Sequence, residues 1–204
     1  MNTIKTMPDI YNSGYLSLYV GPMYSGKTTE LLLLYNRYYL AGKNCILVKH
    51  KDDNRYDPEY VVTHDKQKLK AICTKNLQDI ITNKNIVGAE VICIDEIQFY
   101  EDAADICDLW ANEGKIVIAA GLNGNYLREP FTQVSKLLAK IEMDHLIPLT
   151  AICTQTGKQA SFTKRISNEK EVKVIGGSEK YISCSRQAYF SETNYENPTH
   201  IEKI

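Results

Sequence analysis

Residues 21–28 read Gly21-Pro22-Met23-Tyr24-Ser25-Gly26-Lys27-Thr28, a G-x-x-x-x-G-K-[ST] pattern, and this stretch decides the fold. Glycines let a backbone turn its N–H groups inward around a phosphate chain. The lysine reaches the outer phosphates, and the closing hydroxyl binds Mg²⁺. The pattern has this meaning only between a strand and a helix. Upstream, the run from Tyr15 through Leu16, Leu18 and Val20 reads as a strand that stops at Gly21-Pro22. Downstream, Lys27 to about Leu40 reads as a helix, apolar nearly all round at leucines 31–34, with Gly42 as its stop. Such a helix points its positive end at a bound anion. Gly21, Ser25, Gly26, Lys27, Thr28 and Thr29 are therefore the expected nucleotide-binding residues.

A second stretch complements the first. Val91-Ile92-Cys93-Ile94-Asp95-Glu96 is an apolar strand ending in two carboxylates. A carboxylate at the C-terminal edge of a parallel sheet can hold the Mg²⁺ of a phosphate-loop site, which assigns Asp95 and Thr28 to the metal. Consecutive strand residues point to opposite sides, so Glu96 is expected to face away from Asp95, where a phosphoryl acceptor or an attacking water would sit. Glu96 could activate water, as in an ATPase, or deprotonate a substrate hydroxyl, as in a small-molecule kinase. The two motifs leave that choice open.

Buried strands alternate with helices through the first three quarters of the chain. Cys45–Lys49, Glu90–Asp95 and Lys115–Gly121 read as strands, whereas Asp102–Asn112 and Gln133–Ile141 read as helices with a shorter one at Leu77–Ile81. The pattern predicts an α/β fold, a phosphate-loop (RecA-like) parallel sheet with flanking helices. The polar stretch His50–Asp65 is expected to be a functional loop. Beyond Pro148 the pieces become short and β-like: Leu149–Cys153, Gln159–Arg165, Glu171–Ile175 and Tyr181–Ser183, with a Gly176-Gly177 turn. The expected organisation is a flexible N-terminus at 1–14, a core at 15–147, a small β-rich lasso lobe at 148–190 and a polar tail at 191–204.

Composition narrows the function classes. The 204 residues carry 24 Lys plus Arg against 25 Asp plus Glu, a formal net charge of -1, which argues against a nucleic-acid partner held by bulk charge. No apolar run approaches the roughly 20 residues that span a bilayer. Residues 1–14 hold one lysine and no apolar core, unlike a secretory signal. A cytoplasmic protein with reduced thiols is expected, with Cys45 and Cys93 as plain core residues.

Five blocks settle which acceptor is expected. GPMYSGKTTEL, DNRYDPEYVVTHD, DEIQFY, NEGKIVIAAGLNGNYLREPF and EVKVIGGSEKY occur in this order. Together, from Ser17 to Tyr189, they closely resemble the thymidine kinases of type II. The resemblance implies transfer of the ATP terminal phosphate to the 5′-hydroxyl of thymidine, with Mg²⁺, and with deoxyuridine tolerated. It implies Glu96 as general base, with Lys27 and Arg55 neutralising charge. It also implies a base pocket walled by Phe99, Leu122, Tyr126 and Phe131 over Met23, and Asp53 beside the sugar and phosphates. Gly176, Gly177 and Tyr181 would belong to a loop closing on the nucleoside. His64 receives no role. Inhibition by thymidine triphosphate and a homotetramer are further implications of the resemblance.

The chain departs from that family at a structural zinc site. Cys153 keeps the first ligand position, but Thr156, Ser185 and Ala188 occupy the other three, and Cys184 lies one residue early. Tetrahedral structural zinc takes four Cys or His ligands. The lobe is therefore expected to lack Zn²⁺ and to open more readily than in zinc-bearing relatives. A Cys153–Cys184 disulfide is disfavoured in the cytosol.

Overall fold

A computed structural model describes residues 14–53, 59–62, 68–167, 169, 176, 177 and 179–191. Six parallel strands form the central sheet, in the order β5-β2-β6-β7-β1-β8. They are β1 (Tyr15–Gly21), β2 (Cys45–His50), β5 (Ile72–Thr74), β6 (Val91–Ile94), β7 (Ile116–Leu122) and β8 (Leu146–Pro148). Between β2 and β5 a short antiparallel pair joins β3 (Tyr60–Val62) to β4 (Lys68–Lys70).

Alternation along the strands sorts the core into two layers. Val91 and Cys93 of β6 join Leu47 and Ile118 against Leu31 and Leu32 of α1 (Lys27–Leu40). Ile92 and Ile94 face the other way, and meet the face built with α3 (Ala103–Asn112) and α4 (Thr132–Leu138). A four-residue helix, α2 (Lys84–Val87), precedes β6 and adds Ile86 to this second layer. Trp110 of α3 is its largest fully buried side chain. Each such side chain contributes about 1.5–3 kcal/mol by leaving water. The near-continuous apolar reading of β6 and β7 is the signature of strands covered on both faces.

Beyond β8 a smaller lobe has its own core. It contains the pair β9 (Ala151–Ile152) with β10 (Gln159–Ala160), and the pair β11 (Phe162–Arg165) with β12 (Tyr181–Cys184), followed by α5 (Arg186–Phe190). Ala151, Cys153, Ala160, Ile182, Cys184 and Ala188 fill it, and Tyr24 of the 21–28 loop packs against them.

Several expectations need correction. Helix α1 is not apolar all round in its surroundings: Leu31 and Leu32 are buried, whereas Leu33 and Leu40 are exposed. The stretch after His50, expected as loop, contributes β3. Strands β5 and β8, at the two sheet edges, are three residues each and lie outside the strands that the pattern predicts. The segment 159–165 is two strands broken at Ser161, because β10 and β11 pair with different partners. The expected strand Glu171–Ile175 lies outside the described residues.

Candidate active site

The C-terminal ends of adjacent strands β2, β6, β7 and β1 open on one edge of the sheet, where open α/β folds bind ligands. Asp53 follows β2, Asp95 and Glu96 follow β6, Leu122 ends β7, and Gly21 ends β1 into the loop that leads to α1.

That loop is shaped for an anion. Gly26 sits at φ 83°, a left-handed conformation that a Cβ disfavours. As the N-cap it offers no side chain to cap the first turn of α1, and a helix end of this kind favours an anion. Lys27 is buried, and its Nζ donates to the Pro22 carbonyl at 2.7 Å. Ser25 Oγ donates to the same carbonyl at 2.9 Å. Thr29 lies exposed on the first turn.

Thr28 and Asp95 meet across the loop, with Thr28 Oγ1 3.2 Å from both carboxylate oxygens of a buried Asp95. The Glu96 N–H donates to Asp95 Oδ1 at 3.0 Å. Asp95 and Asp53 both add to the burial that raises the Tyr100 hydroxyl well above its ordinary range, so negative charge concentrates at this edge. A hydroxyl and a carboxylate together are the hard oxygen donors that suit Mg²⁺, and the site fits that ion.

Glu96 is buried at φ 51°, ψ 48°. The strand ends at Ile94, so strand alternation does not set the direction of Glu96, as the sequence had suggested. A left-handed turn does. Three residues missed in the sequence act here. Gln98 donates its Nε2 to Glu96 Oε2 at 2.5 Å and accepts from the Leu122 N–H at 3.0 Å. Thr163 and Ser183, paired across β11 and β12, grip both polar groups of the Met23 backbone. Thr163 Oγ1 accepts from the Met23 N–H at 3.0 Å, and Ser183 Oγ donates to its carbonyl.

The expected nucleoside residues are distributed around this edge. Met23 is buried in the loop; Phe99 tilts against the His50 ring at 5.7 Å between centroids. Phe131 is half-buried against the α3 and α4 layer. Tyr126 and Tyr181 share Arg165, whose guanidinium carbon lies 3.8 Å from the first ring centroid and 5.1 Å from the second. Arg165 Nη2 also donates to the Tyr181 hydroxyl at 2.6 Å. Gly177 accepts from the N–H groups of Lys180 and Tyr181, both at 3.1 Å, and donates to Glu179 Oε1 at 2.8 Å. Gly176, just before it, is buried. Arg55 and His64 lie outside the described residues.

The zinc position holds hydroxyls. Thr156 Oγ1 and Ser185 Oγ are 3.0 Å apart, and Ser185 caps α5 by accepting from the Ala188 N–H at 3.3 Å. Burial pushes the Cys153 thiol up, but hydrogen bonds from Ser185 and Thr156 outweigh it and bring the thiol down to about 7. Of the four positions only Cys153 is a thiol, and hydroxyls that already satisfy one another do not fit a tetrahedral zinc.

A family model for thymidine kinase matches residues 14–189. The thymidine kinase of Yaba monkey tumor virus is 44% identical over 182 residues, covering 89% of this chain and 98% of that protein. Those of Raccoon poxvirus and Monkeypox virus are each 42% identical, over 89% and 87% of this chain and 99% and 98% of theirs. The match takes in both the phosphate loop and the hydroxyl-filled lobe, and over that whole span the chain belongs to the thymidine kinase family.

Proposed function

We propose that this protein transfers the terminal phosphoryl group of ATP to the 5′-hydroxyl of thymidine, yielding thymidine 5′-phosphate and ADP, and that it tolerates deoxyuridine. The observation that carries the reading is the junction of Thr28, Asp95 and Glu96, where a metal-type donor pair adjoins a second, separately directed carboxylate. In a small-molecule kinase that second carboxylate takes the proton of the acceptor alcohol.

The loop N–H groups of 21–28 and the start of α1 bind the phosphates, and Lys27 exchanges its Pro22 carbonyl for a phosphate oxygen. Thr28 and Asp95 would hold Mg²⁺, which neutralises phosphate charge when bound. Glu96 receives the 5′-hydroxyl proton. A carboxylate is a weak base for an alcohol, but a loose phosphoryl transition state asks for the proton only late. Lys27 and Arg55 supply the remaining charge stabilisation. Phe99, Leu122, Tyr126 and Phe131 over Met23 enclose the base, Asp53 orients the sugar side, and Gly176, Gly177 and Tyr181 belong to the closing loop. In this reading residues 15–147 are the catalytic core and 148–190 the lobe that closes, and the lobe functions without structural zinc. Feedback inhibition by thymidine triphosphate, a homotetramer and a cytoplasmic location complete the proposal. Among the described residues no helix is long and apolar enough to cross a membrane.

Purified protein with Mg-ATP and each nucleoside in turn tests this directly. Thymidine should give its monophosphate with one ADP each. Equal ADP release without any nucleoside would replace the kinase by an ATPase. Glu96→Gln should lower kcat about 10³-fold while ATP still binds, since removing a positioned base costs roughly 10²–10⁴.

A further inference from the structure

We propose that Gln98 is a positioning residue that aims the Glu96 carboxylate and ties its place to the strand that carries Leu122. The inference rests on the reading of Glu96 as proton acceptor and extends it to a residue that acts through Glu96.

The direction of the Gln98 amide follows from its partners. A backbone N–H can only donate, so the atom 3.0 Å from the Leu122 nitrogen is the carbonyl oxygen Oε1. The amide nitrogen is then the atom turned to Glu96, and it can only donate, to a carboxylate oxygen 2.5 Å away. One side chain thus links the turn after β6 to the end of β7, with no freedom to flip. Gln98 is buried, so both bonds form where water does not compete.

The neighbouring strand makes room for this bridge. A Cβ at Gly121 would lie 2.7 Å from Gln98 Oε1 and 2.6 Å from Ile97 Cγ2, closer than real contacts allow. A glycine at that position is what lets the amide cross between the strands. The link also has a functional sense. Leu122 belongs to the proposed base pocket, so the same amide that aims the proton acceptor is referenced to the wall that positions the nucleoside. Phosphoryl transfer gains most of its speed from such positioning, and displacement of a reacting group by about 1 Å can cost 10²-fold.

Two substitutions separate aim from scaffold. Gln98→Glu keeps the length and the acceptor for Leu122 but sets a second carboxylate against Glu96, and the proton the buried pair must share blocks Glu96 as an acceptor, whereas Gln98→Met loses both bonds. Steady-state kinetics with thymidine and equilibrium Mg-ATP binding are measured for each, alone and combined with Glu96→Gln. Both variants should lower kcat by about 10- to 100-fold, with thymidine KM and ATP affinity held within about threefold. In the Glu96→Gln background, neither should lower the residual turnover further, because residues acting as one unit are non-additive. A kcat near wild type in Gln98→Met overturns the inference. So does an equal fractional loss in the Glu96→Gln background, or a parallel loss of ATP binding. Turnover of Glu96→Gln itself near wild type would instead remove the proposed base, and this role with it.

Discussion

Glu96 holds a carboxylate on a backbone that a glycine would adopt more easily. Its φ of 51° costs about 1 kcal/mol for a residue with a Cβ. The turn carries Glu96 out of line with β6 while Asp95 stays against Thr28, so adjacent carboxylates meet different partners. Comparing Glu96→Gly with Glu96→Ala isolates the backbone contribution, because both lack the carboxylate. The glycine variant should unfold at higher denaturant, by about 1 kcal/mol relative to alanine, and both should be inactive. Equal stabilities would mean that the left-handed turn is not held in solution. At this scale the sequence was legible wherever a local motif confers the role. Lys27 and Thr28 could be located by their motif's spacing, and Asp95 and Glu96 by the apolar strand they end, whereas the expected role of Glu96 came from the family resemblance. Gln98 was not legible, because its meaning depends on the Leu122 N–H, 24 positions away.

Elements make the lobe and the phosphate loop one mechanical unit. The cross-strand pair Thr163 and Ser183 satisfies the backbone of Met23, 140 and 160 positions upstream, and Tyr24 packs against the lobe core. A change in the lobe is therefore felt at the loop proposed to bind ATP. Thr163→Val keeps the shape but leaves a buried N–H without that partner, at a cost of about 1–3 kcal/mol. It should raise the KM for ATP as well as for thymidine, and an effect on thymidine alone would show that the loop does not depend on the lobe. Gly121→Ala tests the second junction, between β7 and the turn after β6. Overpacking there should cost about 1–3 kcal/mol in urea unfolding and lower kcat with it. Periodicity revealed the long strands because they are covered on both faces. It missed β5 and β8, three residues each, because strands that short carry no pattern of their own and are defined by the neighbour they pair with.

For the whole molecule, the proposal of a zinc-free lobe raises the question of what holds that lobe together. Its core is six small or medium side chains, and at the zinc position Thr156, Ser185 and Cys153 bond to one another. The titration of Cys153 then becomes a property of lobe stability. Its folded pKa, about 7, lies below the ordinary 9.0, so the folded state prefers the thiolate. Such a group stabilises fully above the unfolded value, and the contribution is lost as pH falls through the folded one. Stability should therefore rise from pH 7 to pH 9. Cys184 works in the opposite sense: burial first, then Cys153, pushes its thiol up to about 11, so its effect is a loss of stability only above pH 9. Urea unfolding followed across this range should show a rise that Cys153→Ser removes, with a fall above it that Cys184→Ser removes. A chelator should leave the curve unchanged. Were zinc bound instead, the metal would already hold Cys153 as thiolate at neutral pH, the rise would be absent, and chelation would lower stability throughout.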